Sequence, residues 1–133
     1  MVSNNDISIL YVDDEEPNLF LFKVTFEDKY HVITSSSGEE GLEKLKEAHS
    51  KIIVVISDMS MPKMNGVEFI REARELYKSI GYFILTGYNY NDEIDQAIKE
   101  NVVHKFFTKP FDPEKIEEAI EEFRASGLVS NQS

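Results

Sequence analysis

The segment "IIVVISD", residues Ile52–Asp58, decides the fold. Its first five residues are all β-branched, and such side chains favour β-strands. The run shows no alternation of apolar and polar residues, which indicates a strand buried on both faces, as in the interior of a parallel sheet. The predicted strand is Ile52–Ile56, and Asp58 follows it after one serine. A carboxylate therefore stands just after a buried strand, and its partners must come from the rest of the chain.

Alternating strands and helices surround this segment. Four further short apolar runs predict strands, and apolar residues at helical spacing between them predict five helices. Five βα units predict an α/β fold, a parallel five-stranded sheet with helices on both faces. Right-handed crossovers leave few topologies, and we expect the doubly wound, flavodoxin-like order 2-1-3-4-5. The further predicted strands are Ser8–Val12, His31–Thr34, Tyr82–Leu85 and Lys105–Thr108, and the predicted helices are Pro17–Phe26, Glu39–Ala48, Gly66–Tyr77, Asp92–Glu100 and Pro113–Arg124.

Length and composition limit the class of protein. The 133 residues predict one domain over 1–125, with 126–133 as a flexible tail or the start of a linker. A net charge of −11 argues against direct binding to nucleic acid or to an anionic membrane. There is no cysteine, no basic-then-apolar leader and no apolar run near the length that spans a bilayer. We therefore expect a cytoplasmic protein without disulfides.

Polar residues stand where the predicted strands end. Parallel strands have their carboxyl ends at one edge of the sheet, and ligands bind there at the point where the strand order reverses. Strands 1 and 3 are neighbours at that point, so their terminal carboxylates should converge. The residues concerned are Asp13 and Asp14 after strand 1, Asp58 after strand 3, Thr86 after strand 4 and Lys109 after strand 5.

Three converging carboxylates require a cation or a proton. Lys109 supplies one positive charge, and a hard divalent ion with oxygen ligands supplies the rest. Mg²⁺ fits such a site, with Mn²⁺ as a substitute. A carboxylate nucleophile, a metal, a hydroxyl and a lysine around one point are suited to phosphoryl transfer.

Four motifs stand at these strand ends. They are "VDDE" (Val12–Glu15), "DMSMPKMNG" (Asp58–Gly66), "LTG" (Leu85–Gly87) and "FFTKPF" (Phe106–Phe111). On these motifs the chain, from about Ile7 to Phe123, closely resembles the receiver domain of two-component response regulators. The resemblance implies a switch that accepts a phosphoryl group from a sensor histidine kinase or a histidine phosphotransfer protein.

The resemblance implies roles at the metal and the phosphoacceptor. By position, Asp58 matches the phosphoaccepting aspartate and Lys109 the invariant lysine. Asp14 matches a direct metal ligand, and Asp13 its mostly water-mediated companion. The backbone carbonyl of Ser60 should complete the share of the metal shell that the protein supplies.

It also implies a switch. Thr86 matches the switch hydroxyl, and Phe106 matches the switch aromatic, where tyrosine is commonest in the family. Ser60 and Tyr88 occupy variable positions that influence the lifetime of the phosphoryl group. We also expect a cis peptide between Lys109 and Pro110, which would aim the lysine at Asp58; proline makes this isomer accessible.

Two other functions compete with this interpretation. One is a Mg²⁺-dependent phosphohydrolase with an aspartate nucleophile, but Ser60 stands where the haloacid-dehalogenase type carries a second aspartate. The other is a degenerate receiver that acts only as a binding module, against which the complete set of acids, threonine and lysine argues. We expect a regulatory protein that catalyses only its own phosphorylation and dephosphorylation. Its further partners would be an output domain or protein at the face of the fourth helix, fifth strand and fifth helix, and a second copy on phosphorylation.

Overall fold

The computed structural model of the protein describes residues 7–87 and 91–132, with side chains described as far as residue 126. Strands and helices alternate along the chain, as the sequence predicts. The strands are β1 (Ser8–Val12), β2 (His31–Ser35), β3 (Ile52–Asp58), β4 (Gly81–Thr86) and β5 (Lys105–Thr108). The helices are α1 (Glu16–Phe26), α2 (Gly38–Ala48), α3 (Gly66–Leu76), α4 (Asp92–Lys99) and α5 (Pro113–Gln132).

The five strands form one parallel sheet in the order β2-β1-β3-β4-β5. This confirms the predicted flavodoxin-like topology. Val12 pairs with Ser57, and Asp58 pairs with Leu85 one strand further along. The carboxyl ends of β1, β3 and β4 therefore lie side by side at one edge.

The sheet is buried on both faces, as the β-branched run of β3 predicts. Val55 packs into a cluster with residues of α2, α3 and α4, including Leu45 and Phe69. Val54 and Ile56 belong to a second cluster on the opposite face, with residues of α1 and α5. Pairing with β1 on one side and β4 on the other sets the position of Asp58 at the end of β3.

The loop after β3 is closed by the start of α3. Asn65 caps this helix through a reciprocal capping box with Glu68. The N–H of Gly66 donates to the carbonyl of Met59 at 2.9 Å. A Cβ at Gly66 would lie 2.4 Å from the backbone oxygen of Asp58, which is closer than atoms approach. Only glycine allows the helix to begin this near to Asp58.

Two differences from the predicted bounds concern the site. Because β3 and β4 are longer than predicted, Asp58 and Thr86 are the last residues of their strands and do not follow them. The backbones of Asp58 and Thr86 are therefore part of the sheet itself.

The α5 helix also extends beyond its predicted end. Its backbone runs past Arg124 to Gln132. The division into a domain over 1–125 and a tail over 126–133 stays a prediction. Within the described ranges, no helix is both long enough and apolar enough to cross a lipid bilayer.

Candidate functional site

Three carboxylates converge at the edge where β1 and β3 end. Asp13, Asp14 and Asp58 each offer an oxygen, and these three oxygens lie within 4.8 Å of one another. Asp13 and Asp58 are buried, whereas Asp14 is exposed. Clustered carboxylate oxygens are the donors that hard divalent cations prefer, so the residues present fit a metal ion of this type. The predicted convergence is confirmed.

Lys109 closes the site from the side of β5. Its Nζ lies 3.0 Å from Oδ2 of Asp13 and 3.5 Å from Oδ2 of Asp58. Burial alone lowers the pKa of Lys109, but the hydrogen bond to Asp13 and the charges of both carboxylates outweigh it and raise the pKa. The Lys109–Pro110 peptide is cis, as predicted. The backbone N–H of Lys109 donates to the carbonyl of Thr86 at 2.8 Å, which joins β5 to β4 at the site.

Asp58 is held in an environment that disfavours its charge. Burial raises its pKa, and the negative charge of Asp13 raises it further. The charge of Lys109 and a hydrogen bond from the backbone N–H of Ser60 act in the opposite direction, but the net pKa is raised. An ionised carboxylate that is both desolvated and close to like charges gains when a cation or a covalent bond neutralises it.

Asp13 is held at both of its oxygens. Oδ1 accepts the backbone N–H of Glu15 at 3.0 Å. Oδ2 accepts the hydroxyl of Tyr11 at 2.7 Å as well as the ammonium of Lys109. Burial, together with the bond to Asp13, raises the pKa of the Tyr11 hydroxyl. Sequence reasoning missed Tyr11, although residues two apart on a strand share a face, which was a usable signal.

The predicted switch residues lie at the same edge and just behind it. Thr86 is buried at the end of β4 and pairs with Thr108. Phe106 pairs with Ile84, two residues before Thr86, and packs half-buried against the cluster on the α4 side. Ser60 is exposed in the loop after β3. Tyr88 lies outside the described residues.

The site combines a buried carboxylate with two flanking carboxylates and a lysine at the switch point of a flavodoxin-like sheet. These features define a class of phosphoacceptor domain that takes a divalent cation. The sequence model described as the response regulator receiver domain matches residues 9–121. The chain belongs to this family.

Comparison with individual proteins agrees with that membership. The chemotaxis protein CheY1 of Helicobacter pylori is 30% identical over 122 residues, which are 86% of this chain and 94% of that protein. A solved receiver domain protein from Clostridium thermocellum superimposes with a TM-score of 0.81 at 32% identity, over 92% of this chain and 98% of that one.

Longer relatives match only in part. The hydrogenase transcriptional regulatory protein HoxA of Cupriavidus necator is 27% identical over 96% of this chain, which spans 26% of HoxA. PhoP of Bacillus subtilis, a transcriptional regulatory protein of alkaline phosphatase synthesis, is 34% identical over 81% of this chain, which spans 44% of PhoP. The chain thus covers a quarter to a half of the length of these two relatives.

Family membership establishes the general function. The chain is a receiver domain of two-component response regulators, a regulatory family of phosphoacceptor switches. Receiver domains interact with histidine kinases and bind Mg²⁺ at an acidic pocket, and in homologues they are linked to output domains. The phosphohydrolase and binding-module alternatives are not favoured.

Proposed function

We propose that Asp58 accepts a phosphoryl group from a phosphohistidine of a sensor kinase or phosphotransfer protein. The observation that carries this proposal is the position of Asp58: buried, within 4.8 Å of two further carboxylates and 3.5 Å from the ammonium of Lys109. A carboxylate oxygen of Asp58 forms a bond to phosphorus while the phosphorus–nitrogen bond of the donor breaks. The bonding electron pair leaves with the imidazole, and the product is an aspartyl phosphate.

Side chains around Asp58 have separate tasks in this reaction. Lys109 contacts a phosphoryl oxygen and neutralises the charge that shifts in the transition state. Thr86 donates a hydrogen bond to another phosphoryl oxygen. Asp14, Asp58 and the backbone carbonyl of Ser60 would hold Mg²⁺ or Mn²⁺, with Asp13 acting through water. The metal would supply positive charge to the phosphoryl oxygens.

Phosphorylation of Asp58 causes a conformational change. The phosphoryl group attracts Thr86, and Phe106 moves into the space behind it. This alters the face of α4, β5 and α5, where an output domain, a partner protein or a second copy of the chain would bind. Ser60 and Tyr88 tune how long the phosphoryl group survives slow hydrolysis. The protein acts as a regulator in the cytoplasm and not as a metabolic enzyme.

The surface beside the site supports a protein as the phosphoryl donor. The α1 helix exposes large apolar side chains, with Phe20 exposed by 69% and Leu21 by 53%. Leu21 lines a cavity of about 520 Å³ together with Lys109 and Phe111. An exposed apolar patch that borders a reactive site is typical of a surface that contacts another protein.

Phosphorylation by a small donor tests the reaction without the kinase. Incubation with acetyl phosphate and Mg²⁺ should add the mass of one phosphoryl group to the intact protein. Asp58→Asn should prevent the addition, and a chelator should suppress it. Asp28→Asn, at an exposed aspartate outside the carboxylate cluster, serves as the matched control and should react like the parent. Repeated turnover of p-nitrophenyl phosphate would instead indicate a phosphohydrolase.

A further inference from the structure

Two donors share one oxygen of Asp13. The hydroxyl of Tyr11 lies 2.7 Å from Oδ2, and the ammonium of Lys109 lies 3.0 Å from the same atom. Asp13 is fully buried, so bulk water has little access to its oxygens. In this contact the hydroxyl of Tyr11 is the donor and the carboxylate of Asp13 is the acceptor.

Packing holds the Tyr11 ring in place independently of Lys109. The ring is 1% exposed and is stacked on Phe22, with centroids 4.1 Å apart and planes inclined by 8°. Phe22 in turn packs against Phe111, with ring centroids 5.6 Å apart. The hydroxyl therefore keeps its position when Lys109 moves.

Phosphoryl transfer requires Lys109 to change partner. In the structure its ammonium is nearer to Asp13 than to Asp58. When it turns to a phosphoryl oxygen on Asp58, Oδ2 of Asp13 loses a charged donor. A buried carboxylate oxygen without a donor carries a large desolvation penalty. The remaining hydroxyl of Tyr11 removes most of this penalty.

We propose that Tyr11 is a positioning residue that keeps Asp13 hydrogen-bonded and so releases Lys109 to the phosphoryl group. The inference rests on the proposed function of Asp58. It assigns no chemical step to Tyr11, whose hydroxyl stays on Asp13 throughout. Tyr11 thereby sets how readily the lysine leaves its resting partner.

The Tyr11→Phe variant removes one oxygen and keeps the stacked ring. We expect its affinity for beryllofluoride, a phosphoryl analogue, in saturating Mg²⁺ to fall about tenfold, since hydrogen bonds to charged groups are worth that much or more. Its affinity for Mg²⁺ alone should stay within about twofold, because in that state Lys109 still donates to Asp13. Both affinities are measured by titration calorimetry or NMR.

Tyr30→Phe is the matched control. Its hydroxyl donates to Oε2 of Glu121 at 2.5 Å, which is likewise a bond from a buried tyrosine to a carboxylate, but one made to α5 and not to the acidic cluster. The control variant should bind the analogue as the parent does. A loss of affinity in Tyr30→Phe as large as that in Tyr11→Phe would show a general effect of stability and would overturn the proposal.

Other outcomes are equally decisive. If Tyr11→Phe weakens Mg²⁺ binding and analogue binding equally, Tyr11 acts on the metal site and the proposal fails. Unchanged analogue affinity also overturns it. If the parent protein itself binds no analogue, the proposed function of Asp58 fails, which is a separate result.

A crystal structure of the parent protein with the analogue provides a second test that needs no variant. The proposal predicts that Lys109 contacts the analogue while the Tyr11 hydroxyl remains on Oδ2 of Asp13. A structure in which Tyr11 leaves Asp13, or in which Lys109 stays there, contradicts it.

Discussion

Replacing Asp58 with asparagine should stabilise the metal-free protein. Asparagine has nearly the same shape as aspartate but carries no charge, so it removes a buried carboxylate from a cluster of three. Most substitutions of buried residues destabilise a protein, which makes the expected direction unusual. Lys109 is not left unpaired, because it keeps its contact of 3.0 Å with Asp13.

The magnitude follows from the distances. At an effective dielectric constant of about 20, two carboxylate oxygens at the 4.8 Å limit of the cluster repel by about 3–4 kcal/mol, and Asp58 has two neighbours within that limit. The attraction to Lys109 at 3.5 Å is worth about 5 kcal/mol on the same scale. Because Asp14 is exposed, water screens its share of the repulsion. The screened repulsion and the attraction to Lys109 then nearly cancel, so the expected gain, on the order of 1 kcal/mol, comes chiefly from relief of the desolvation that raises the pKa of Asp58.

Thermal and urea unfolding in the presence of a chelator measure this gain. For a domain of this size we expect a rise in melting temperature of a few degrees Celsius. Adding Mg²⁺ at about ten times its Kd should stabilise the parent by about 1.4 kcal/mol and the variant by much less. An Asp58→Asn protein that is less stable than the parent without metal would refute the electrostatic account of the cluster.

Further changes probe pH, packing and the switch. The raised pKa of Asp58 means that folding favours its neutral form, so this residue lowers the stability of the parent as the pH rises through that pKa. In the presence of a chelator, the stability advantage of Asp58→Asn should therefore be full at neutral pH and should vanish below pH 3.8, the ordinary pKa of the group. Urea unfolding at a series of pH values measures this dependence. Gly66→Ala should lower stability by about 1–3 kcal/mol, because the new Cβ meets the Asp58 backbone, whereas Gly87→Ala has room and should be neutral in the same melts. Thr86→Ala should still bind beryllofluoride but blunt the NMR shifts of α4 and β5; equal shifts in parent and variant would remove Thr86 as the coupling element.

The fold was predictable because both faces of the sheet are buried. The run of β-branched residues at Ile52–Ile56 is typical of an interior strand of a parallel sheet. Once that strand is placed, the polar residue at its end must lie at the ligand-binding edge. Asp13, Asp14 and Asp58 could therefore be grouped without any side-chain coordinates, and their oxygens do lie within 4.8 Å.

Some details that depend on side-chain direction were missed. Tyr11 stands within an apolar run, where a tyrosine is expected to be a core residue, and most of its surface does pack in the core. Its hydroxyl reaches Asp13, two residues further along, and this spacing places both residues on one face of an extended chain. The end of α5 was also missed, since the residues after Arg124 include a glycine and several serines and carry no helical stripe, although the backbone stays helical to Gln132.

Locating the phosphorylated residue tests the central claim most directly. After reaction with acetyl phosphate and Mg²⁺, borohydride reduces an aspartyl phosphate to homoserine, and peptide mass spectrometry locates the change. We predict homoserine at position 58, with the aspartates at positions 13 and 14 unmodified. A protein that reacts at another residue, or that carries a phosphoryl group resistant to borohydride, would contradict the assignment of Asp58 as the phosphoacceptor.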